Sequence, residues 1–209
     1  IFKKKIAFVV TTPFVARVFL ANHINSLVDF YDVTIITNVD GFDEMLDNIS
    51  VKAKIVNLPI MRNINIFADL KALFFLILIF QKNKFSLVHS VSPKAGLLCA
   101  ISALLTCVPN RIHTFTGQVW ATKKGFFRYT LKLFDKLIVV LNTNILVDSY
   151  SQQKFLINEN ILSNCTSFVL GSGSISGVDT IRFSPSISQS KIIRDSLHID
   201  NSNVVLLFL

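Results

Sequence analysis

Short apolar runs rich in valine and isoleucine alternate with stretches of helical periodicity along most of the chain. This alternation constrains the fold more than any other feature. Runs at 6–11, 32–37, 54–58, 86–90, 111–115, 145–148 and 166–170 have the length and β-branched character of buried strands. Between them, apolar residues recur at helical spacing over 14–30, 66–81, 95–106, 124–142 and 151–157. The stretch L-I-V-V-L at 137–141 suits either element, and the reading keeps it helical. Strands separated by helices are joined by crossovers rather than hairpins. The pattern therefore predicts an α/β protein, a Rossmann-like parallel sheet with helices on both faces.

A chain of 209 residues can bury one full core and part of another. Its mean hydropathy of +0.54 raises the question of a membrane span. The longest apolar runs, 72–80 and 95–108, fall short of the ~20 residues a spanning helix needs, and read as buried helices. The opening I-F-K-K-K-I-A-F-V-V imitates a secretory leader, but its apolar run stops at Thr11-Thr12-Pro13, so it reads as a strand. Cys99, Cys107 and Cys165 lack metal-ligand spacing and read as small core residues of a reducing compartment. No His/Glu cluster suggests a metal.

In an open parallel sheet, ligands bind beyond the carboxyl ends of the strands. At those ends the sequence places Thr12, then His89-Ser90 leading into Ser92, Lys94 and Gly96, then Thr116-Gly117-Gln118, then Gly171-Ser172-Gly173. Small, hydroxylated and glycine residues at four strand ends point to one cleft, although α/β turns use such residues anyway. His89 is expected to end its strand and face that cleft; His113 is expected to face the core or its rim. The glycine-rich stretch reads G-x-G-x-x-x-G and runs into Pro185, so it matches neither a dinucleotide fingerprint nor a P-loop. It reads as a loop at the edge of the cleft, where backbone without Cβ can approach a ligand.

The chain is basic, with a net charge of +8, and Lys124, Arg128, Lys132 and Lys136 recur every fourth residue. Steps of about 400° put them on one helical stripe, and like charges at that spacing are mildly destabilising unless an anionic partner is near. The stripe fits peripheral attachment to anionic lipid or a solvated face. Nucleic acid is disfavoured because no reading module accompanies it.

Four blocks together resemble one family: H-S-V-S-P-K-A-G-L-L, V-P-N-R-I-H-T-F-T-G-Q-V-W, V-D-S-Y-S-Q-Q-K-F-L-I and L-G-S-G-S-I-S-G-V-D-T-I-R-F-S-P. In order and spacing they resemble the amino-terminal half of bacterial family 4 glycosyltransferases, of the capsule and O-antigen type. The resemblance implies a GT-B fold and metal-independent, retaining transfer from a nucleotide-sugar donor to an undecaprenyl-diphosphate-linked saccharide, with no cofactor. It implies work in the cytoplasm at the inner face of the cell membrane.

Carried onto this chain, the resemblance makes Thr116 and His89 catalytic candidates. It gives acceptor contacts to Ser90, Ser92, Lys94, Gly96, Gly117, Gln118 and Trp120, and donor contacts to Thr12, Gly171, Ser172 and Gly173. Gly177, Asp179 and Arg182 would lie between domains. Many relatives carry histidine where this chain has Thr116. The expected domains are an acceptor-side domain at 1–183, a linker at 184–202 and the first strand of a truncated donor domain at 203–209. As a fragment of this kind the chain would be inactive alone. Other readings are a non-catalytic membrane or sugar-binding module partnering a separate donor subunit, an inactive gene remnant, or a GT-B sugar-nucleotide epimerase.

Overall fold

A computed structural model describes residues 3–40, 49, 51–61, 63–163, 167–181, 183–200 and 202–206. They form two compact units, Ile1–Ser176 and Gly177–Leu209. The first unit holds a seven-stranded sheet: β1 (Lys5–Val9), β2 (Asp32–Thr37), β3 (Lys54–Asn57), β4 (Leu87–Val91), β5 (Asn110–Phe115), β6 (Asn144–Val147) and β7 (Ser167–Val169). The order is β3-β2-β1-β4-β5-β6-β7 and every neighbouring pair is parallel. All seven expected strands are present. Of the five inner strands, β1 and β2 are buried along nearly their whole length, as a sheet covered on both faces requires.

The helices follow the sequence pattern with one irregularity. The segment after β1 is α1 (Pro13–Val15), a π-helical turn at Ala16–Leu20, and α2 (Ala21–Leu27). Then come α3 (Ile66–Asn83), α4 (Pro93–Leu105), α5 (Gly125–Leu141) and α6 (Tyr150–Asn158). Asn65 caps α3 by accepting from the Ala68 amide, and Ser149 caps α6 through Gln152. The L-I-V-V-L stretch ends α5 as helix, because Ile138 packs into the core while Leu137 and Val140 face outward.

Right-handed crossovers decide which face each helix covers. The chain steps from β1 to β2 in one direction and from β3 onward in the other, so α2 covers one face and α3, α4 and α5 lie side by side on the opposite one. Ile6, Phe8, Val33 and Ile35 pack on Leu20 and Ile24; Val9, Ile36 and Val88 pack on Leu76, Phe80 and Cys99. A third cluster holds Phe115, Ile138, Ile145 and Leu156. Cys99 is buried as expected, but Cys107 is exposed: it follows α4 in a left-handed turn (φ 54°). Cys165 lies outside the described residues.

In the second unit, the stretch read as a linker contains α7 (Ile187–Ser196), whose first turn is capped by Ser186 accepting from Gln189. Val204–Leu206 form no strand, and 207–209 lie outside the described residues.

Candidate functional site

The strand order reverses at β1, which pairs with β2 on one side and β4 on the other. Such a switch point opens a crevice where the loops after the two central strands diverge. Thr11 follows β1 and Ser92 follows β4, and their hydroxyls stand 3.4 Å apart. Ser92 adopts φ 82°, a left-handed conformation uncommon for serine, and starts α4 without a side-chain cap. Thr12 leads into α1. One strand over, Thr116 and Gly117 are exposed after β5, and nothing would obstruct a Cβ at Gly117. Gln118 is half-buried and its Nε2 is buried with no partner. The crevice rim is therefore built from Thr11, Thr12, Ser92, Thr116, Gly117 and Gln118.

The glycine loop after β7 is tied to the end of β6. Gly171 and Gly173 have φ of 56° and 99°. A Cβ on Gly173 would stand 2.6 Å from the Asp148 carbonyl oxygen, which also accepts from the Ser174 amide at 2.6 Å. The Asp148 carboxyl is pushed above the usual carboxylate range by burial, against a hydrogen bond from the Ile175 amide. His23 Nε2 donates to the Ile175 carbonyl at 2.5 Å. Glycine is thus required here by backbone packing. Gly171 and Ser172 are the exposed tip. Sequence reasoning missed Asp148 and His23, because the bonds that define their roles span loops distant in sequence.

Several expected site residues sit elsewhere. His89 lies within β4, not at its end, in register with Phe8 and Ile112. Its Nε2 shares a 2.7 Å hydrogen bond with the Thr114 hydroxyl, and its ring lies 5.4 Å from that of Phe8. Burial and then the nearby His23 hold its imidazole down at about 4. Ser90 is fully buried on the opposite face of the strand, hydrogen-bonded to His113 Nδ1 at 2.9 Å.

His113 is a core residue, as one of its expected placements had it. Its pKa is lowered to about 3, chiefly by burial and then by His89, and its Nε2 has no partner. Gly96 packs directly against this ring: a Cβ there would stand 2.7 Å from His113 Nδ1. Gly96 is therefore a packing glycine. Lys94 reaches Asp69 at 2.8 Å and also donates to the Asn63 carbonyl, so α3 engages its ammonium.

Trp120 is also interior. It is 1% exposed, stacks on Phe155 at 5.4 Å, and donates from Nε1 to Asp135 at 2.6 Å. The basic stripe divides around it. Arg128 and Lys132 turn inward onto the indole face and both bind Glu159, at 2.6 and 2.7 Å. Lys124 and Lys136 remain exposed. Gly177 and Asp179 fall in the second unit, and Arg182 lies outside the described residues. Among the described residues no three His, Cys, Asp or Glu side chains stand together as metal ligands would.

Residues 5–144 match a family described as Glycosyl transferase 4-like. The chain belongs to this glycosyltransferase family. It is 35% identical, over 149 residues, to the capsular polysaccharide biosynthesis glycosyltransferase CapM of Staphylococcus aureus, covering 71% of this chain and 39% of that protein. It is 27% identical over 177 residues to an Escherichia coli UDP-Gal:alpha-D-GlcNAc-diphosphoundecaprenol alpha-1,3-galactosyltransferase, covering 84% of this chain and 44% of the relative. The chain thus spans about two-fifths of the length of these family 4 relatives.

Among solved structures, a sucrose-phosphate synthase from Thermosynechococcus elongatus superposes with TM-score 0.71 at 13% identity, covering 96% of this chain and 54% of that one. A UDP-N-acetylglucosamine 2-epimerase from Rickettsia bellii gives 0.65 at 15% identity, covering 95% and 52%. These likenesses show the fold, the Rossmann-like half of GT-B proteins.

Proposed function

We propose that this chain is the acceptor-side part of a retaining glycosyltransferase that moves a sugar from a nucleotide-sugar to a lipid-linked saccharide during surface polysaccharide synthesis. The observation that carries this reading is the 35% identity, over 149 residues, to a capsular polysaccharide glycosyltransferase. The expected domain division belongs to the same proposal: an acceptor-side domain followed by a connection to a donor-binding domain. So does the site of action, the inner membrane face, where nucleotide-sugars and a lipid-carried acceptor meet.

The rim suits an acceptor sugar. Ser92, Thr116 and Gln118 offer hydroxyl and amide groups to sugar hydroxyls, and open backbone at Gly117 lets a ring come close. In the transfer, the bond from the anomeric carbon to the diphosphate breaks through an oxocarbenium-like state. The acceptor oxygen bonds that carbon and passes its proton to the departing diphosphate oxygen. Backbone amides at the Gly171–Ser172 tip would meet the charge developing on the diphosphate. Ser90 is buried and His89 half-buried within β4 behind the rim, so their part is to support that strand.

The test uses the complete gene product, lipid-linked acceptor and a panel of labelled nucleotide-sugars. Transfer to lipid is expected. Thr116→Val and Ser92→Ala should each lower kcat/KM about tenfold, the worth of one hydrogen bond of about 1–1.5 kcal/mol. Unchanged rates in both variants would remove the rim from the acceptor site. No transfer by folded protein from any nucleotide-sugar would remove the reading itself.

A further inference from the structure

The outward face of a surface helix is ordinarily polar. In the α3–α4–α5 layer it is not. On α3, Phe67, Leu70, Phe74 and Leu78 recur at helical spacing and are all exposed, Phe67 by 86%. On α5, Phe126, Leu133, Leu137 and Val140 form a second exposed stripe, with Phe126 at 84% and Val140 at 78%. Helix α4 packs between the two and adds exposed Leu104. Isolated apolar residues on a surface need no explanation, but a periodic face shared by adjacent helices marks a surface that something covers.

Charge says what covers it. Across these three helices the sequence has two carboxylates, Asp69 and Asp135. Asp69 is paired with Lys94, and Asp135 is buried under the Trp120 indole. Around the apolar stripes stand exposed Lys71 and Lys82 on α3, Lys123 and Lys124 before α5, and Lys136 on α5. An apolar face rimmed by lysines, with both acids engaged inside, complements a bilayer surface carrying anionic headgroups. Among the described residues no helix is long and apolar enough to cross a membrane, so the contact is interfacial.

We propose that the outer face of α3, α4 and α5 is a docking surface for an anionic lipid bilayer. The apolar side chains enter the headgroup–acyl boundary and the rim lysines meet lipid phosphates. This reassigns the membrane contact from the Lys124–Lys136 stripe, whose middle members Arg128 and Lys132 bind Glu159. The inference deepens the proposed function by giving a lipid-linked acceptor a surface on this unit. It is tested without any sugar substrate, so its failure leaves sugar transfer standing.

The experiment is co-sedimentation of the complete protein with phosphatidylcholine vesicles, with and without phosphatidylglycerol. Binding to the anionic vesicles, weakened by salt, is expected. Phe74→Ser and Leu133→Ser should each weaken it by about tenfold, and Lys71→Gln with Lys136→Gln should weaken it further. A second readout covers folding. Tryptophan placed by Phe74→Trp or Leu133→Trp should be quenched by brominated lipid, whereas buried Trp120 should not. Vesicle binding that survives the serine substitutions overturns the proposal. So does a dimer without lipid that the same substitutions dissolve, which would make the face a contact between copies of the chain.

Discussion

Adding one methyl group at Gly96 should destabilise the protein, and removing His113 should reverse the sign of that effect. A Cβ on Gly96 would stand 2.7 Å from His113 Nδ1, and the ring has no room to retreat because it is fully buried and meets Phe115 edge-on at 4.7 Å. Overpacking of this kind costs about 1–3 kcal/mol. Displacing the ring also breaks its 2.9 Å bond to Ser90 inside the core, for a further loss of about 1–3 kcal/mol. Alanine regains about 1 kcal/mol over glycine in a helix interior. The net expectation for Gly96→Ala is destabilisation by about 1–5 kcal/mol. In a His113→Ala background the clash is gone, and the same change should stabilise by about 0.5–1 kcal/mol. Urea denaturation of the four proteins of this double-mutant cycle measures both numbers. An equal cost in the two backgrounds would refute the packing role and return Gly96 to the ligand site.

Asp135 should make stability depend on pH. Burial pushes its carboxyl up to about 6, with the indole hydrogen bond acting the other way. The folded protein therefore holds this proton more tightly than the unfolded chain. The favourable contribution is complete below the unfolded value near 3.8 and is lost as pH rises through about 6. The stability of Asp135→Asn relative to wild type should accordingly rise by about 2 kcal/mol between pH 4 and pH 7. A pH-independent difference would mean the carboxyl is not desolvated. At Gly173, alanine must adopt φ 99° with its Cβ against the Asp148 carbonyl, so Gly173→Ala should cost about 1–3 kcal/mol and open the 171–175 loop to protease. Unaltered cleavage would detach that loop from Asp148.

The fold was legible in the sequence because its signals are local. Each strand is a short β-branched run and each helix a periodic one, so their alternation required a parallel sheet before any contact was known. The family was legible for a similar reason: four ordered blocks of loop residues survive as linear text. Which polar residues reach the crevice was not local information. Whether a strand residue faces a ligand or a helix depends on its exact place before the strand end. His89 and Ser90, adjacent in sequence, point to opposite faces and both miss the rim. Gly96 looked like a ligand glycine until the His113 ring, seventeen residues later, was found against it.

The same holds for charge. Sequence spacing put Arg128 and Lys132 on one stripe, but only tertiary packing supplied Glu159 and the Trp120 face that draw them inward. The sequence read the apolar run at 72–80 as a buried helix, but packing buries only Ala72, Leu76 and Phe80 of α3 fully and leaves Phe74 and Leu78 exposed on its outer face. Sequence determined the elements and their order, because hydrogen bonding and periodicity act between near neighbours. Tertiary structure decided exposure, partnership and proton affinity, because desolvation and pairing depend on groups that meet only when the sheet closes.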